Sequence, residues 1–283
     1  MYEQEQEMIA VPLTEKGCAF QVGEIDGCMI PIMTPNEDEK DQRKNKTLHW
    51  KEARLAVVQE QGSLISKFGA TFEGDVNDAG NRLLNCAVKA GFGNQTHLHA
   101  VGDGAAWIAL QIADKFGDQS HYLIDYYHVC EYLADASKIC APNATTAWMD
   151  GQKSLLKNNE FSIVISNLEL YLEADNIKND KAPVRACYRY LSNRTNQLDY
   201  KGAIEKGLPI GSGAVESAHK YVIQKRLKLS GAWWKASNVD PMLSLRVVRA
   251  NGDWNSYWDD LSKSKNDDFI NPENESGFCS KAA

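Results

Sequence analysis

His97-Leu98-His99-Ala100-Val101-Gly102-Asp103-Gly104 passes from a short apolar strand pattern straight into an Asp-Gly pair, and a helical pattern follows from Ala105 to Phe116. A second short strand pattern, His121 to Asp125, comes next. Strand, helix and strand at this spacing predict a parallel crossover, and ligands of parallel sheets gather beyond the carboxyl ends of the strands. Asp103 is a candidate site residue by that placement. Its bland reading is a turn aspartate, since Asp-Gly is a common turn pair.

Upstream, Cys18 to Met33 reads as a buried strand with a bend at Gly27, and Thr34 to Lys46 as a solvated hairpin loop. Trp50 to Gln59 and Leu64 to Phe68 supply two further strands, and Val76 to Ala90 the first clear helix. Downstream, His128 to Leu198 is almost wholly helical until Gly207-Leu208-Pro209-Ile210-Gly211 breaks the pattern. Ser212 is a competent N-cap for a helix to about Ser230, and Asp240-Pro241 opens another that ends near Asn251-Gly252. Three strands, a helix, two alternating strands and then helices is the element order of a ribonuclease H-like fold. This is an α/β architecture with a mixed sheet flanked by helices, here with an all-helical insertion before the last core helix. The expected divisions are an amino-terminal tail over 1–17, the first part of the core over 18–133 and the insertion over 134–207. The last part of the core, with basic helices, takes 208–258, and a flexible acidic tail takes 259–283.

The 283 residues are 43% hydrophobic and 24% charged, ordinary values for a globular chain with a full core. No stretch is apolar enough to span a membrane, and the acidic start is unlike a secretory signal, so a cytoplasmic address and no membrane partner are expected. Seven scattered cysteines without a Cys-x-x-Cys pair read as reduced thiols and exclude a zinc ribbon. The net charge of −7 runs against nucleic-acid binding. It is unevenly spread, however: Lys220, Lys225, Arg226, Lys228, Lys235, Arg246 and Arg249 face only Asp240 between Lys220 and Arg249.

Two more acidic residues share Asp103's kind of position. Asp26 follows a hydrophobic strand pattern, and Glu216 falls in the first turn of the helix after Gly211-Ser212-Gly213, where the helix dipole favours a carboxylate. Converging, Asp26, Asp103 and Glu216 would form an oxygen-rich site for two Mg2+ (or Mn2+) ions, suited to phosphodiester displacement. Each also has a bland reading, as turn residue or dipole partner. Asp125 and His128, at the next strand end, are either a brace for such a site or a satisfied strand end. His97 and His99 with Asp103 lack a third nitrogen or sulfur ligand for zinc. Ser212 is not in a Gly-x-Ser-x-Gly elbow, which removes a serine hydrolase. Lys220, Lys225, Arg226, Lys228 and Arg246 with Trp233 and Trp234 interleave cations and flat rings, a pattern suited to DNA; one tryptophan at least is expected to pack the core.

The segments Ile210 to Lys220, Gln224 to Gly231 and Leu243 to Arg246 closely resemble bacterial insertion-sequence DDE transposases of the ISKra type. Gly102 to Ile108, Asp125-Tyr126-Tyr127-His128, Ile25-Asp26-Gly27 with Trp50 to Leu55, and Gly252-Asp253-Trp254 with Trp258 match in order, covering most of the chain. The resemblance implies Asp26, Asp103 and Glu216 as a metal-binding catalytic triad and Asp125 with His128 as an accessory Asp-x-x-His motif. It implies double-stranded DNA partners (transposon ends and target), a homo-oligomer on DNA, hydrolysis at the element's ends and attack of the freed 3′-hydroxyl. Members carry a substantial amino-terminal region that recognises those ends. Here the first core strand begins within about 20 residues of Met1, too few for a DNA-binding fold, so a chain lacking most of that region is expected. An inactive or DNA-binding-only remnant and a stand-alone metal-dependent nuclease remain as alternatives.

Overall fold

A computed structural model describes residues 16–36 and 46–270. Most of the 1–17 tail, most of the 34–46 loop and the end of the 259–283 tail lie outside the described residues.

Five strands form one mixed sheet: β1 (Phe20–Pro35), β2 (Lys46–Glu60), β3 (Ser66–Thr71), β4 (His97–Gly102) and β5 (Ser120–Ile124), in the order β3-β2-β1-β4-β5. β1, β2 and β3 pair antiparallel, whereas β4 and β5 run parallel to β1. The parallel part follows from the crossover helix α2 (Ala106–Phe116), as the spacing predicts. Helix α1 (Val76–Lys89) starts on a capping box in which Asp75 accepts from Asn77 and Asp78 N–H while Asp78 reaches back to Asp75 N–H. There is no bend at Gly27. β1 runs through it in unbroken register with β2, with Gly27 opposite Arg54. A long partner on that side holds straight what a local Asp-Gly pair would turn.

After β5 come α3 (Tyr126–Cys140), α4 (Thr145–Lys157), α5 (Phe161–Glu169), α6 (Pro183–Ser192) and α7 (Tyr200–Glu205). The boundary placed at 134 falls inside α3. These helices are not set apart from the sheet: one buried cluster runs from Val22 and Leu98 through Val129 and Leu133 to Val164, Leu191 and Tyr200. A second cluster, on β1 residues Cys28, Ile30 and Ile32 and β2 residues Ala53, Leu55 and Val57, is closed by two helices. One is α8 (Gly213–Ala218), prolonged by a π-helical segment (His219–Gln224) and a last turn (Lys225–Leu227); the other is α9 (Val239–Asn251). Alternating residues of β2 thus serve two faces, the period-two signature of a sheet covered on both sides.

Helix α9 is tied to β3 by side chains. The Asn251 amide accepts from Phe68 N–H (2.9 Å) and donates to Phe68 C=O (3.0 Å), and buried Asp240 accepts from Phe72 and Glu73 N–H. Residues 259–270, expected as loose tail, continue helix α10 (Trp254–Ile270). Local contacts sustain it: Trp258 meets Trp254 and Tyr257 edge-on, and Asp260 faces Lys263 at 3.8 Å. None of the described helices is long and apolar enough to cross a membrane.

Candidate active site

The parallel register between β1 and β4 ends at Glu24 opposite Val101. β1 then continues past β4, meeting only the Trp234 bridge at Ile32 on that side, so Asp26 sits in mid-strand, not at a strand end, yet level with the carboxyl end of β4 where Asp103 follows. Helix α8 begins beside them. In consequence Asp26, Asp103 and Glu216, far apart in sequence, line one cavity of about 240 Å³ together with Asp125, His128 and Glu131. Asp26 Oδ1 accepts from Gly27 N–H (2.7 Å), and Asp103 Oδ1 from Ala105 N–H (2.8 Å). One oxygen of each carboxylate is thereby fixed by nearby backbone; the second oxygen of Asp26 faces His219.

His219, on the π-helical segment, is buried and places Nε2 at 3.5 Å from Asp26 Oδ2. That is long for a hydrogen bond, and the attraction is chiefly between charges. Burial works against the charged ring, but Asp26 and Cys28 outweigh it and push the imidazole up to about 9.

Asp125 is fully committed. Its Oδ1 accepts from Tyr127 and His128 N–H at the start of α3, and its Oδ2 from the N–H (2.7 Å) and hydroxyl (2.5 Å) of Ser212. Ser212 therefore does not cap α8 with its hydroxyl; it spends that group on Asp125, which staples the starts of α3 and α8 together. The His128 ring does not bond Asp125 either, since its Nδ1 faces Glu131 at 3.2 Å. The cap of α8 comes from elsewhere. Glu24, 3% exposed, accepts from Val215 N–H at 2.7 Å. Burial pushes its carboxyl up to about 7, against the N–H groups of Val215 and Ala214, and Asp125 and Glu216 add to the rise. Glu24 was legible only as a charge between buried Val22 and Ile25; its partner lies across the fold.

A family model described as an uncharacterised protein family (UPF0236) matches residues 88–259, more than half of the chain. The chain belongs to this family. The UPF0236 match spans Asp103, Asp125, His128 and Glu216 but begins after Asp26. No curated protein matches the chain.

The basic residues of this UPF0236 chain divide in two. Lys220, Lys225, Arg226 and Lys228 are exposed, with Arg226 over the Trp234 ring (5.0 Å) and Lys228 over Trp50 (5.7 Å). Arg246 is half-buried and donates to the carbonyls of Val222 (3.1 Å) and Tyr221, so it braces the π-helical segment. Trp234 packs on the second core cluster and pairs its backbone with Pro31 and Met33 of β1, while Trp233 tilts against exposed Trp50. His99 is buried, with Nε2 against Pro209 C=O at 2.8 Å, and with His97 it lines a separate cavity of about 340 Å³ at the amino ends of β4 and β5. That end of the strands is away from Asp103, so the three cannot share a zinc ion.

Carboxylate oxygens are hard donors, and Mg2+ binds through one or two of them while keeping several waters. Among the described residues no three His, Cys, Asp or Glu side chains stand close enough to hold one ion together. A roomy cavity lined by Asp26, Asp103 and Glu216 fits hydrated ions of this kind better than a closed cage.

Proposed function

We propose that the chain is the catalytic part of a DDE transposase of the ISKra type, cutting DNA and joining the freed 3′-hydroxyl to target DNA. The observation that carries this reading is the shared cavity of Asp26, Asp103 and Glu216 at the carboxyl end of the parallel strands. The strand order β3-β2-β1-β4-β5, with the first three strands antiparallel, supports a ribonuclease H-like core around it.

Asp26, Asp103 and Glu216 would hold two Mg2+ or Mn2+ ions, which when bound supply activation of the attacking oxygen and charge stabilisation of the leaving one. The chain's own part is to fix the carboxylates. Gly27 and Ala105 N–H orient Asp26 and Asp103, Glu24 sets the start of α8, and Asp125 ties α8 to α3. With Glu131 on the same wall, the cavity is acidic enough to repel DNA phosphates until cations enter. Exposed Lys220, Lys225, Arg226 and Lys228, which follow Glu216 on the same helix, would carry the phosphate backbone past it.

The test is nicking and strand transfer on plasmid and linear DNA with Mg2+ or Mn2+. Asp103→Asn and Glu216→Gln should each abolish both reactions while leaving DNA affinity near that of the parent. Cleavage that persists in Glu216→Gln, or a parent chain inert with either metal, would overturn the assignment.

A further inference from the structure

We infer that Tyr190 and Arg194, from the helical stretch after β5, are positioning residues that clamp the Asp103-Gly104 turn and thereby set Asp103 in the carboxylate cavity. This rests on the reading of Asp103 as a metal-binding carboxylate. The Tyr190 hydroxyl donates to Asp103 C=O at 2.6 Å, and Arg194 Nε donates to Gly104 C=O at 2.9 Å. From the sheet side, Gly104 N–H donates to the Tyr122 hydroxyl at 3.1 Å. Three side chains thus take three consecutive polar groups of a two-residue turn, and the next donor, Ala105 N–H, goes to Asp103 Oδ1.

The clamp is itself held rigid. Tyr190 is 7% exposed; its ring stacks on Tyr132 at 4.3 Å with planes 15° apart, and the Arg194 guanidinium lies 4.6 Å from the ring centre. Arg194 Nη1 also donates to Tyr190 C=O at 3.1 Å, so the two residues form one unit. Burial pushes the Tyr190 phenol upward, which keeps it protonated and a donor throughout the working pH range. His128 meets the same ring edge-on at 5.9 Å, so the clamp touches two walls of the cavity at once. Tyr190 lies near the end of α6 and Arg194 just beyond it, and both side chains reach adjacent carbonyls of one turn. The arrangement makes the helical stretch a part of the active site's scaffold.

Amide hydrogen exchange of the full chain tests the clamp without reference to activity. Tyr190→Phe keeps the ring stack and deletes only the hydroxyl; Arg194→Lys keeps charge and loses the fork. Each should speed exchange across residues 102–106 by roughly tenfold, about the worth of one hydrogen bond, while β5 around Leu123 stays protected. Tyr188→Phe, on the same helix as Tyr190, removes a hydroxyl bonded to Glu169 of α5 and should leave the turn unchanged. The second readout is the Mn2+ concentration for half-maximal nicking. It should rise roughly tenfold in Tyr190→Phe, because a displaced carboxylate costs affinity for the ion. A general loss of folded protein would lower the plateau and leave the half-point in place. Unchanged exchange in both variants refutes the clamp, and faster exchange with an unmoved half-point refutes its role at Asp103. A parent chain that never nicks, with the turn loosened as described, refutes the transposase reading and leaves the clamp standing.

Discussion

Glycines at the site are there because tyrosines need the room. A Cβ on Gly104 would lie 2.6 Å from the Tyr190 hydroxyl, one on Gly102 2.8 Å from the Tyr122 hydroxyl, and one on Gly211 2.7 Å from the Tyr127 ring. Gly104 also has φ +82°, in the left-handed region that side chains avoid. Gly104→Ala should therefore destabilise by about 1–3 kcal/mol in urea unfolding. Gly62, at φ +79° with nothing within 4 Å of a built Cβ, carries the backbone cost alone, so Gly62→Ala should cost clearly less. Equal losses would show that the Tyr190 contact carries no weight. Glu24 offers a pH-dependent counterpart. Its carboxyl titrates near 4.5 when unfolded and is pushed up to about 7 when folded, so the folded state binds the proton more tightly. The contribution to stability is full below about pH 4.5 and is lost as pH rises through about 7. In metal-free buffer Glu24→Gln should flatten that fall between pH 5 and 8, read from urea midpoints. A parallel fall in parent and variant would remove Glu24 as its source.

Elements whose pairing is local were the ones legible in the sequence. The β4–α2–β5 crossover follows from its spacing, and its limits and those of α1 lie within a residue or two of expectation. What escaped was set by partners distant in sequence. Gly27 stays extended because Arg54 pairs with it, and Ser212 gives up its cap because Asp125 claims the hydroxyl. The same holds within the site. Asp103 and Glu216 announce themselves at a strand end and a helix start, and Asp26 only by a bend that β1 does not make, whereas Glu24, Tyr190 and Arg194 act through contacts that no local pattern encodes. Arg246 illustrates the cost of reading charge by stretch alone, for it grips the helix carbonyls of Tyr221 and Val222. Arg246→Ala should lower stability by about 1–3 kcal/mol, whereas exposed Lys225→Ala should stay within about 0.5 kcal/mol. Thermal unfolding of both variants separates brace from surface charge, and a neutral Arg246→Ala would return that arginine to the DNA-facing set.

Across the whole molecule, a net charge of −7 coexists with a basic helix face directly beyond an acidic cavity. If the face carries DNA, replacing Lys220, Lys225, Arg226 and Lys228 with glutamine should weaken binding to every sequence alike. It should also reduce the slope of affinity against salt, roughly in proportion to the phosphates that are no longer neutralised. A salt series in fluorescence anisotropy measures this, and an unchanged slope would move the DNA path to another face. The bond between Asn251 and Phe68 has a consequence of a different kind. β3 closes the sheet on one side, and an open outer strand is a template onto which a second chain can zip. One amide, offering a donor and an acceptor to the middle of that strand, imitates a neighbouring strand for a single residue and leaves an incoming chain no continuous ladder to extend. Asn251 would in this sense guard against fibre-like self-association, and Asn251→Ala should raise turbidity at high concentration under conditions where the monomer is still folded.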